Sequence, residues 1–178
     1  MRIRFFNLIV SLRKIPACRA RYPQQAASFI GLYEKPMLGQ CASVLEELAK
    51  KSRDASWLLK NLFIEGFLIH ARNVRDFLFN PPVNWNDDIV AADYLTSWNK
   101  KIKKECKFLH SKKAQIDRSA LHLSYSRIDY ESKGKLEIED CLRINGELEI
   151  VWCEFWARLP DEKRRWFLER NEWSPPAS

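Results

Sequence analysis

Residues 56–79 read SWLLKNLFIEGFLIHARNVRDFLF, with apolar side chains returning every three or four positions. That period predicts one long helix, capped from Asp54 and ended by Pro81 and Pro82. Asn61, Glu65, Arg72 and Asp76 follow one another at steps of four, seven and four, so they line a single polar stripe along it. An unpaired buried charge is costly. The stripe therefore either faces water or meets complementary groups on another helix. Gly66, in mid-helix, costs about 1 kcal/mol of propensity and leaves room for a close crossing.

The flanking sequence supplies the partners. Met37 to Lys51, just after Pro36, carries Cys41, Val44, Leu45 and Leu48 on one face and is expected to be helical. Beyond the central helix, Asn80 to Asn99 reads as a long connection holding a short helix capped by Asp87 or Asp88. A third long helix is expected from about Lys101 to Tyr130, with Leu109, Ile116, Ala120 and Leu123 inward. A fourth runs from Leu136 to Arg158, with Ile138, Leu142, Asn145, Leu148, Trp152, Phe155 and Leu159 on its inward stripe. Pro160 stops it and opens a last helix, Asp161 to Arg170. The expected fold is all-α: an antiparallel bundle of four main helices over residues 37–170, with one long crossover and a loose tail at 171–178. Five Gly and eight Pro in 178 residues speak against a turn-rich all-β chain.

The formal charge of +7 is unevenly spread. Residues 1–33 hold Arg2, Arg4, Arg13, Lys14, Arg19 and Arg21 without an acid, which leaves 24 basic against 23 acidic residues in the remainder. The overall charge is thus weak grounds for a nucleic-acid-binding domain. Residues 1–36 form a basic arm around an apolar patch, Phe5 to Leu12, and three readings fit it. They are a short secretory signal, an arm that touches anionic lipid or RNA, and a disordered or non-native extension ahead of a start at Met37. No apolar run reaches the roughly 20 residues of a membrane span. The five cysteines have no C-x-x-C pairing, which argues against a zinc site or disulfide framework and for reduced thiols in the cytoplasm.

Candidate chemistry centres on DRSALHLSYSR, residues 117–127. Arg118, His122 and Tyr125 share a face, with His122 suited to proton transfer and Arg118 to holding an anionic oxygen. Arg127 falls near the apolar stripe and is expected to pair inward with Glu65 or Asp76. The same residues also fit a purely structural polar layer: Glu65, Arg72, Asp76 and Arg127 would fix helix register without catalysis. Lys100, Lys101, Lys104 and Lys107 are candidates for phosphate contact, or a solvated face. They also complement the acids Asp87, Asp88, Asp93 and 137–140 of a second copy, which suggests a homo-oligomer. Glu-x-x-His pairs, Gly-rich phosphate loops and G-x-S-x-G are missing, so no metal or cofactor is expected.

FLIHARNVRDFLF (67–79), NDDIVAADYLTSW (86–98) and LHLSYSR (121–127) together resemble a group of bacterial proteins with similar helix signatures, over most of residues 40–158. The helix layout is also similar to the HEPN superfamily, all-α bundles that include metal-independent RNases of toxin and defence systems and many non-catalytic relatives. The resemblance implies a helical bundle that acts through partners or, in the alternative, through RNA. Catalytic members carry Arg, four to six residues, then His. Arg118 and His122 are separated by three, and neither His70 nor His110 has an Arg at the required distance. The expected function is a non-enzymatic, self-associating interaction module. The alternative is a ribonuclease or RNA-binding protein using Arg118 and His122.

Overall fold

The computed structural model describes residues 23–50, 57–81, 88–96, 98, 106–121 and 135–170, with the backbone alone at 119–121. These residues form α-helices and one π turn, with no strand among them. In chain order they are α1 (Pro23–Phe29), the π turn Ile30–Glu34, α2 (Lys35–Lys50), α3 (Trp57–Phe79), α4 (Ala91–Tyr94), α5 (Lys107–Leu121), α6 (Ile138–Arg158) and α7 (Asp161–Leu168). The protein is an all-α bundle.

The longest described helix, α3, is central, and its most extensive pairing is with α2. Its inner face presents Ile64, Phe67, Leu68, Ala71, Val74, Phe77 and Leu78. The run direction of its neighbours follows from their contacts. His110 of α5 packs edge-on against Phe79, with ring centroids 5.4 Å apart, and Asp117 meets Arg75. Later residues of α5 therefore meet earlier residues of α3, and the two helices are antiparallel. Between α5 and α6, Lys112 pairs with Asp140 and Glu147 reaches Phe108 and Leu109, so these two are antiparallel as well. All contribute to one apolar core.

Residues 23–36, grouped on sequence with the basic arm, are helical and contribute Ala27, Ile30 and Glu34 to the interior. Pro36 does not open a helix; it lies within one. It falls just after the π turn, where the Lys35 N–H bonds back to the Ile30 carbonyl, so the missing proline donor coincides with a change of helical pitch. Gly31, in that turn, lies hard against α7: a Cβ there would run into the backbone of Phe167. The short helix expected in the crossover is α4. Its N-cap is Val90 rather than Asp87 or Asp88, and Asp93 in its first turn accepts from the Val90 N–H at 3.1 Å. The expected helix start at Asp54, the end of the third long helix at Tyr130 and the tail 171–178 lie outside the described residues.

Candidate functional site

Charge within the bundle is concentrated where α3 crosses α5. Arg75 is 3 % exposed. Its Nε and Nη2 donate to Asp76 Oδ1 at 3.0 and 2.7 Å, and Nη2 also donates to Asp117 Oδ1 at 2.6 Å. Arg72 Nε stands 3.6 Å from both Asp76 Oδ2 and Asp117 Oδ1, and Lys113 Nζ donates to Asp117 Oδ2 at 2.7 Å. Partial burial opposes ionisation of Asp117. Hydrogen bonds from Lys113 and Arg75, with their charges, outweigh it and hold the carboxyl below its usual range. Arg72 Nε and Arg75 Nη1 are buried without a hydrogen bond.

This is an ionic layer between the second and third long helices, and it includes Arg75 and Asp117 beside residues expected on sequence. Arg72 and Asp76 belong to it, and Glu65 is exposed on α3. Asp76 is engaged by Arg72 and Arg75, while Arg127 lies outside the described residues. Sequence reasoning missed Arg75 and Asp117. A signal for Arg75 was present: Ile64, Leu68, Ala71, Arg75 and Leu78 follow one inward rhythm, so an arginine stands on an otherwise apolar face.

On the other flank of α3, the π turn aims Glu34 inward, where it is 3 % exposed. His70 Nδ1 lies 2.8 Å from Glu34 Oε2, and Asn73 Nδ2 donates to Glu34 Oε1 at 3.1 Å. Binding at Nδ1 leaves Nε2 as the other working nitrogen of His70. Tyr33 packs edge-on to the His70 ring and stacks on Phe29. Glu34, Arg72, Asn73, Asp76, Asp88 and Phe29 border a cleft of about 430 Å³. Its charged lining is three carboxylates against one guanidinium.

Along the outer surface of α3, ahead of this cleft, several large apolar side chains are exposed. Trp57, Leu58, Leu62 and Ile69 are 74, 68, 61 and 44 % exposed. Leu58, Leu62, Glu65 and Ile69 fall at steps of four, three and four, one face of the helix. Phe29, Leu32, Tyr33 and Leu59 add further exposed apolar surface.

The other residues singled out on sequence are less organised. Arg118 is exposed at the end of α5. His122, Lys100, Lys101 and Lys104 lie outside the described residues, and Lys107 is exposed. Lys112 and Lys113 are each matched by an aspartate, and Phe108 is flanked by Lys112 and Arg143. The positive charge of α5 is thus partly neutralised within the fold. No group of three His, Cys, Asp or Glu among the described residues is placed to hold a metal ion, and no described helix is long and apolar enough to cross a membrane. Burial, with nearby Asp140 and Glu137, pushes the Cys141 thiol up to about 12, and burial also raises Cys41. Neither thiol is a ready nucleophile at neutral pH. No protein-family model matches the chain, and no curated protein or solved structure shows significant similarity to it.

Proposed function

We propose that this protein is a cytoplasmic interaction module that associates with a second copy of itself through the outer face of α3. The observation that carries this reading is where the exposed apolar side chains lie. Of the ten large apolar residues exposed among the described residues, eight fall on 29–33 and 57–69. Scattered exposed apolar residues need no explanation, but a concentration of this kind marks a contact surface.

A second copy fits because the row is compatible with itself. In an antiparallel pair of α3 helices, Leu58 stands opposite the partner's Ile69 and Leu62 opposite the partner's Glu65, whose aliphatic stem covers it. The two-fold repeats each contact. Glu65 then keeps its charge at the rim, where it affects encounter more than affinity. Reduced thiols at Cys41, Cys141 and Cys153 suit a reducing compartment.

The test is the mass in solution by light scattering across a concentration series. The unsubstituted protein should approach twice its chain mass. Leu62→Lys, an exposed change, should shift the midpoint at least tenfold upward in concentration with the helical circular dichroism intact. A protein that is monomeric throughout the series, or a dimer indifferent to Leu62→Lys, would overturn the reading.

A further inference from the structure

The cleft beside the π turn holds polar groups that the fold leaves unused. Arg72 borders it and makes no hydrogen bond among the described residues; its Nε stands 3.6 Å from both Asp76 and Asp117. Asn80 borders it too. Its backbone N–H goes to the Asp76 carbonyl at 2.9 Å, and its carboxamide makes no hydrogen bond among the described residues. The carboxylates are placed differently. Glu34 is taken by His70 and Asn73, and Asp76 by Arg75, so neither is a vacant seat for a cation. Both Arg75 bonds go to Asp76 Oδ1, however, and Oδ2 accepts none among the described residues.

A guanidinium is a flat fork, matched by two acceptors side by side in one plane. A carboxylate presents such a pair, and so does the O6/N7 edge of guanine. The surroundings separate the two. A carboxylate would enter beside Glu34, Asp76 and Asp88 and be repelled by them. Guanine is uncharged, and the N–H groups of its ring and exocyclic amine suit a wall where Asp76 Oδ2 and the Asn80 carbonyl can still accept. Phe29, half exposed, and Ile89 give the cleft an apolar side for the faces of the ring. Its volume of about 430 Å³ falls among small-molecule sites, which span roughly 300–1,000 Å³.

We propose that this cleft binds a guanine base, with the Arg72 guanidinium on its O6/N7 edge and the Asn80 carboxamide as a second hydrogen-bonding side chain. The base arrives on a free nucleoside or on a single RNA strand, and the contact chemistry is the same. Arg72 then sets specificity through its shape, which a lysine of equal charge does not reproduce. Pairing of two copies through Leu58, Leu62 and Ile69 is not required for this contact, so the two proposals stand or fall separately.

The experiment is a saturation-transfer NMR titration of the full chain with three probes. They are guanosine, 7-deazaguanosine (in which carbon replaces the N7 acceptor) and benzoate as the carboxylate. Guanosine should bind at least about fivefold more tightly than 7-deazaguanosine, the lower end for a bidentate base contact. Arg72→Lys should weaken guanosine binding by at least about the same factor, and Asn80→Ala by about twofold or more. Circular dichroism verifies the fold of each variant. Should Arg72→Lys fail to fold, Asn80→Ala and the 7-deazaguanosine comparison carry the test. Equal binding of the two nucleosides, guanosine binding unchanged in either folded variant, or benzoate bound in place of guanosine overturns the proposal. No guanosine binding up to its solubility limit overturns it as well. A ribotetranucleotide with one guanine that binds more tightly than guanosine, while one without guanine does not bind, upholds the contact and assigns the base to an RNA strand. Guanosine binding at least as tight as that tetranucleotide upholds it for the free nucleoside.

Discussion

Arg75 depends on two carboxylates for its place in the interior, and they are not equivalent. Asp76 is its chain neighbour, whereas Asp117 comes from another helix and ties α5 to α3. Removing one partner of a buried pair costs about 3–5 kcal/mol. Asp117→Asn should cost less, about 2 kcal/mol, because Asp76 still faces the guanidinium and Asp117 itself is partly hydrated. The pH dependence has a definite sign. The Asp117 carboxyl is held below its unfolded value, so its contribution is complete above the ordinary carboxylate range and disappears as pH falls through the lowered folded value. Urea denaturation at neutral pH should separate Asp117→Asn from the unsubstituted protein, and the gap should narrow toward pH 3. A gap that widens in acid would contradict this account. The stripe of Arg72 and Asp76 was legible from helical spacing alone. Asp117 as its partner was not, because spacing reports which face a residue occupies and not which helix lies opposite. Glu34 and His70 were illegible for the same reason, being 36 positions apart.

Helix boundaries show the same division between local and distant causes. The central and fourth helices were legible because their periodicity is long and proline follows each. The helix that begins at Pro23 was not, since Pro36 reads as a boundary and the π turn that accommodates it leaves no pattern in the sequence. Capping behaves likewise. The start of α5 is closed by Glu147 of α6, which accepts from the Phe108 and Leu109 N–H groups at 3.3 and 2.7 Å, and no residue before Lys107 could have signalled it. Gly31 sets how closely the π turn approaches α7. Its missing side chain lets the π turn sit on the backbone of Phe167, and rigid backbone cannot swing aside as a side-chain tip can. Gly31→Ala should force α7 away from the turn and cost about 1–3 kcal/mol, as overpacking does. Thermal melting should show it. Gly39→Ala is the control, because a Cβ there meets nothing within 4 Å and a helical alanine is favoured over glycine. Equal effects at the two positions would remove the packing argument.

At the scale of the molecule, one aromatic cluster joins the long helices to α4 and α7. The Phe77 ring of α3 lies 5.3 Å from Phe155, 6.1 Å from both Trp152 and Phe167, and 6.0 Å from Tyr94. Polar contacts reinforce the junction: Trp98 Nε1 donates to the Leu78 carbonyl at 2.7 Å, and Lys163 Nζ donates to the Tyr94 carbonyl at 2.6 Å. Tyr94 thus joins Phe77, Phe167 and Pro23, and burial raises its phenol well above the usual value, so it stays a neutral donor. A junction built this way makes the long helices melt together with α4 and α7, because neither part buries its aromatic surface without the other. Phe77→Ala removes the ring common to both. It should cost about 3–5 kcal/mol and lower the melting temperature by roughly 8–15 °C for a chain of this size. Trp98, Trp152 and Trp156 report the junction by fluorescence, while far-ultraviolet circular dichroism reports the long helices. The two probes should trace one transition in the unsubstituted protein and move by the same amount in Phe77→Ala. If fluorescence falls several degrees before helicity in the unsubstituted protein, α4 and α7 unfold on their own and the cluster is not what couples them to the bundle.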